Sequence, residues 1–151
     1  MSLRRRTSFH LLAATTLAGH APAVLAAPPV YQRNGYAIAG YDAVAYFTNP
    51  KAIKGLTAFT ARWREATWLF VSGENRAAFR ANPERYAPQY GGHCAMSMAS
   101  GKKVSADPEA WHVEKEKLYL NSSVKVRDSW LLRMDQYIKE ADWWWQKSYA
   151  S

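Results

Sequence analysis

Seven apolar residues near the C-terminus, Val126, Trp130, Met134, Tyr137, Ile138, Ala141 and Trp145, recur at helical spacing. Side chains three and four apart share one face of an α-helix, so the recurrence predicts an amphipathic helix over about 123–147, with Ser122 or Ser123 as its cap. Such a helix holds in water only when its apolar stripe is covered, and Lys125, Asp128, Lys139 and Glu140 mark the face left to solvent. The remainder of the chain must supply the cover.

Two hairpins are legible for that purpose. Residues 57–63, with Phe59 and Ala61 on one side, lead through Arg64-Glu65-Ala66 into 67–71, and residues 111–114 lead through Lys115-Glu116 into 117–121. Upstream, Asn34-Gly35 is a turn signal, and 43–47 reads as a buried strand closed by Asn49-Pro50. Ser72 is placed to cap a short helix whose apolar face is Ala77, Ala78 and Phe79. That helix ends at Asn82, because a residue before proline avoids helical angles, and Asn82 can in turn cap a helical turn begun by Pro83. Gly101 and Asp107-Pro108 read as further turns. The expectation is a single α+β domain over 27–151: a small antiparallel sheet, short helices and a long C-terminal helix.

The first 26 residues read as an export signal. Arg4, Arg5 and Arg6 form its basic region, residues 11–18 its apolar stretch, and Val24-Leu25-Ala26 its cleavage site. Thr7-Ser8-Phe9 after the arginines resembles a twin-arginine signal with the phenylalanine one position late, and a Sec signal is the alternative. The predicted location is periplasmic. Beyond residue 30 no apolar run is long enough to cross a bilayer. Without its three leader arginines the chain carries 17 Lys and Arg against 12 Asp and Glu, a balance of +5. No basic stripe interleaved with exposed aromatics accompanies that charge, so nucleic acid is not an expected partner, and solubility or an anionic envelope surface is the better use for it.

The chain holds one cysteine, which forbids an internal disulfide in an exported protein. It lies in the stretch Gly91-Gly92-His93-Cys94-Ala95-Met96-Ser97-Met98. In a strand Cys94, Met96 and Met98 would share a face. In a helix Cys94 and Met98 would, and Met96 would leave it. Thiolate, thioether and imidazole suit monovalent copper, so Cys94, His93, Met96, Met98 and His112 are candidate metal ligands. The plainer reading makes Cys94 a small buried hydrophobe, the methionines core filling, and His112 a half-exposed partner for a carboxylate such as Glu114.

Six blocks taken together carry a resemblance. They are Gly40-Tyr41-Asp42-Ala43-Val44-Ala45-Tyr46-Phe47; Trp68-x-Phe70; Phe79 with Asn82-Pro83-x-x-Tyr86-x-Pro88; Gly91-Gly92-x-Cys94-Ala95; Asp107-Pro108; and Leu118-Tyr119-Leu120-Asn121. In this order they resemble the exported, single-domain members of the YHS-domain family, over roughly residues 36–121. The resemblance implies a small α+β domain and an association with heavy-metal handling, since related short domains sit on copper-transporting ATPases and in metal-sensing proteins. Those relatives commonly carry several cysteines, and this chain has only Cys94, which excludes a closed all-thiolate site.

Three functions follow as expectations. The first is a periplasmic soft-metal carrier or binding protein, with copper as the ion. The second is an accessory module that binds a protein partner, a second copy or the envelope surface through Trp143-Trp144-Trp145. Three successive tryptophans span about 200° of a helix, so at least one lies off the core face, and Trp143 and Trp144 are the candidates because Trp145 continues the buried stripe. The third is a thiol-dependent enzyme or redox protein, in which Cys94, His112 and Asp42 would supply a Cys-His-acid set. No phosphate-binding glycine loop, His-Glu-x-x-His helix or Cys-x-x-Cys pair supports catalysis, no catalytic residue is assigned, and Asp42 is read instead as an acceptor for backbone amides.

Overall fold

A computed structural model of the chain describes residues 27–149. The predicted export signal lies outside the described residues. Three antiparallel hairpins organise the rest: β1 (Gln32–Arg33) with β2 (Tyr36–Ala37), β3 (Leu56–Trp63) with β4 (Ala66–Phe70), and β5 (Asp107–Glu114) with β6 (Lys117–Asn121). The expected small sheet is thus three separate two-stranded sheets. Each hairpin closes on two residues in the left-handed region: Asn34 and Gly35, Arg64 and Glu65, Lys115 and Glu116. Paired left-handed residues match the twist of the flanking strands, which is why two-residue turns of this hand close hairpins. Ala66 therefore belongs to β4 and not to the loop. Asp107-Pro108 starts a strand rather than a turn: the register slips between Asp107 and Trp111, and an irregular edge tolerates a residue with no amide hydrogen.

Six helices complete the body: α1 (Ala45–Thr48), α2 (Gly73–Ala81), α3 (Pro83–Tyr86), α4 (Ala95–Met98), α5 (Val124–Leu131) and α6 (Met134–Tyr149). Ser72 Oγ accepts from the Asn75 amide, Asn82 Oδ1 from Arg85 and Ser123 Oγ from Val126, so the caps of α2, α3 and α5 stand where the sequence placed them. The predicted strand at 43–47 is instead a turn at 43–44 followed by α1, which takes in 45–47. The side chain of Asp42, fully buried, accepts from the amides of Val44 at 2.8 Å and Ala45 at 3.2 Å, and it turns the chain into a helix at the point where apolar content alone suggested a strand.

The long C-terminal helix is present but broken. Arg133 donates its amide to Trp130 O, a tightened turn that ends α5 and lets α6 set off in a new direction. The break serves two surfaces: α5 packs chiefly on β5, and α6 chiefly on α4. Strand β6 divides the interior. Leu118 and Leu120 face a core with Ile38, Tyr46, Trp68, Phe70 and Phe79, while Tyr119, pointing the other way, joins Tyr90, Met98, Trp130 and Ala141. The C-terminal helices cover the second core.

Candidate functional site

The central stretch is built around two left-handed turns that lie against each other. Ile38, Ala39 and Gly40 have φ of 43°, 57° and 80°; Tyr90, Gly91 and Gly92 have 55°, 62° and 83°. A β-branched residue at such an angle is uncommon. Tyr31 ties the two turns, donating its amide to Gly91 O at 2.8 Å and accepting from Ile38 N at 2.9 Å. A Cβ on Gly92 would stand 2.7 Å from Ile38 Cγ2, and one on Gly91 would overlap the carbonyl of Pro29. The Gly-Gly pair is therefore required by close packing of the lead-in segment.

From there Cys94 enters as the N-cap of α4, bridged to Leu120 of β6 in parallel and held by its amide to Val104 O. The stretch follows the helical alternative: Cys94 and Met98 are both buried, and Met96 is half-exposed. The thiol, 0% exposed, lies 3.8 Å from Asn121 Oδ1, which also accepts from the Met96 amide at 3.1 Å. His93 Nδ1 is 2.9 Å from Tyr90 O, and the ring packs between Tyr31 and Trp145. Burial holds its pKa below the ordinary 6.5; the Tyr90 carbonyl opposes that shift and the charge of Lys103 adds to it. His112 Nε2 stands 3.7 Å from Glu114 Oε2, with its ring edge-on to Trp130. Each of these donors already has a protein neighbour, and among the described residues no group of three His, Cys, Asp or Glu is placed to hold a metal ion. Asp42 is engaged elsewhere: besides α1 it accepts from Val71 N at 2.9 Å and from Asn75 Nδ2 at 2.7 Å, joining α1, the end of β4 and α2.

The tryptophans of α6 separate as the helical arc requires. Trp145 turns inward against Tyr90 and His93. Trp144 lies on Gly101, where a Cβ would come within 2.9 Å of its ring, and Trp143, 54% exposed, meets it edge-on at 4.6 Å. Between these two rings and Gln136, Lys139 and Glu140 is a hollow of about 430 Å³. Lys147 spans both indoles, its Nζ 4.7 Å from the centre of Trp143 and 5.2 Å from that of Trp144. At about 100° per residue, Gln136, Lys139, Glu140, Trp143, Trp144 and Lys147 fall within an arc of roughly 140°, away from buried Ala141.

The sequence reading did not include Lys147, though its position four residues after Trp143 signalled it. It also missed a cleft of about 300 Å³ bounded by Trp63, Arg64, Glu84, Gln89 and Trp145, which only the packing of α6 beside the β3–β4 turn creates. Comparison of the chain with protein-family models, with curated proteins and with solved structures gives no match.

Proposed function

We propose that the protein is an exported, non-enzymatic accessory module of the cell envelope whose recognition surface is the outer face of α6. One observation carries this: Trp143 stands free at the edge of an apolar hollow, on a helix otherwise buried from Met134 to Trp145 along its inner side. Single exposed apolar residues are ordinary on a protein surface, but an indole paired with a second indole and bordering a hollow is the form of a contact surface. The resemblance to the YHS-domain family stands on the six sequence blocks, and periplasmic placement on the predicted leader.

The reading is tested with a photoreactive side chain at position 143, compared in intact cells with one at exposed Thr57. Adducts formed at 143 and not at 57 support it. Equal yields at both positions, or none at 143, refute it.

A second reading, soft-metal binding, is favoured by the burial of Cys94 and Met98 on one side of α4, with Asn121 Nδ2 buried nearby and unpaired among the described residues. It requires the thiol to leave Asn121. Copper(I) titration followed by native mass spectrometry, repeated on Cys94→Ser, decides it: binding lost only in the variant supports a site, and equal binding or none in both proteins removes it.

A further inference from the structure

We infer that the outer face of α6 seats on an anionic lipid headgroup layer. The inference rests on the docking reading above and names its partner. Two exposed lysines flank the exposed indole of Trp143 and its neighbour Trp144. Lys139 lines the hollow and Lys147 crosses both rings. Lys103 lies off this face: its Nζ reaches the Tyr149 hydroxyl at 2.8 Å, and Tyr149 packs on inward-turned Trp145. Against them the face sets one carboxylate, Glu140, itself engaged by Gln136 at 2.9 Å. Asp142 looks the other way and accepts from the Tyr90 hydroxyl at 2.9 Å.

An indole has an apolar body and a polar N–H, and it is most stable at the boundary where lipid meets water; a lysine stem lies along apolar surface while its ammonium reaches a phosphate. Trp144 is fixed by Gly101, so Trp143 is the ring free to insert. A second copy of the chain is the weaker occupant: a two-fold contact through this face would set Lys139 and Lys147 against their own equivalents.

The test is co-sedimentation of the full chain with phosphatidylcholine vesicles, with and without phosphatidylglycerol, for the parent protein, Trp143→Ala and Lys139→Gln/Lys147→Gln. All three share residues 1–26, so differences between them report on α6. The parent should prefer the anionic vesicles and lose that preference as salt rises. Each lysine removed should lower partitioning roughly fivefold, about 25-fold for the pair. Trp143→Ala should lower it by about tenfold through the lost indole contact. Near-ultraviolet circular dichroism confirms that the variants are folded. Equal sedimentation of all three proteins, or equal binding to neutral and anionic vesicles, overturns the lipid assignment. If photocrosslinking at 143 then captures a protein, the docking reading survives without the lipid; if it captures nothing, both fall together.

Discussion

Replacing Asp42 with asparagine should be among the most damaging near-isosteric changes in the chain. The carboxylate is fully buried and accepts four hydrogen bonds, from Val44 N, Ala45 N, Val71 N and Asn75 Nδ2. An amide has one oxygen. Oriented towards either pair of donors, it turns its own NH₂ on the other pair and leaves two donors unsatisfied, buried at Val44 and Ala45 or part-buried at Val71 and Asn75. Each costs about 1–3 kcal/mol, so the expected loss is about 4 kcal/mol, a large part of the ~5–15 kcal/mol that holds a domain of this kind folded. With a urea m-value of about 1.5 kcal/mol/M, the unfolding midpoint should fall by about 2–3 M at unchanged slope. Adding Asn75→Ala removes one of the opposed donors, so the double variant should lose less than the two single losses summed. A midpoint shift under about 0.5 M for Asp42→Asn would refute the claim that this carboxylate joins α1, β4 and α2.

Three further outcomes test the stacked turns and the sealed thiol. Gly92→Ala must adopt a φ of +83° and meets Ile38 Cγ2 at 2.7 Å, so it should cost about 2–4 kcal/mol. Gly35→Ala has a similar φ in open space and should cost only about 1–2 kcal/mol; equal losses in urea melts would show that the turns do not press on each other. His93 should titrate below 6.5 by NMR. Its ring is neutral in both states above that value, and below it the unfolded chain takes up a proton that the fold resists, so stability is complete above about 6.5 and falls as pH drops towards the folded-state value. His93→Gln should flatten that acid slope, and an unchanged slope would remove His93 as its source. Native Cys94 should react with a maleimide at least about a hundredfold more slowly than in urea, since reaction awaits local opening; comparable rates would mean the thiol is accessible.

The positions of the caps and hairpins were legible because their causes are local. Ser72, Asn82 and Ser123 each bind an amide three residues on, and a two-residue turn between alternating strands fixes its own register. The burial pattern around Cys94 follows the helical alternative: Cys94, the N-cap of α4, and Met98 are buried, and Met96 is half-exposed. For the tryptophans, the helical arc alone required one ring to leave the core, and Trp143 is the most exposed of the three.

What the amino-acid order by itself determined, then, was most of what depends on partners within a few residues: the hairpin turns, the caps of three helices and the amphipathic character of the C-terminal segment. Tertiary structure decided the rest. Residues 43–47 carry a strand-like apolar run, and Asp42, which turns the chain there through the amides of Val44 and Ala45, is itself held by Val71 and Asn75, some thirty residues away. The C-terminal stripe continues across 132–133, yet the helix is interrupted there, and α5 packs chiefly on β5 while α6 packs chiefly on α4. The seating of Trp144 on Gly101 likewise depends on α4 docking against α6. Contacts between distant segments leave no periodic trace in sequence, because spacing along the chain encodes only neighbours one or two turns apart; helical spacing brought Lys139, Trp143 and Lys147 to one face, and distant contacts fixed which side of α6 is covered.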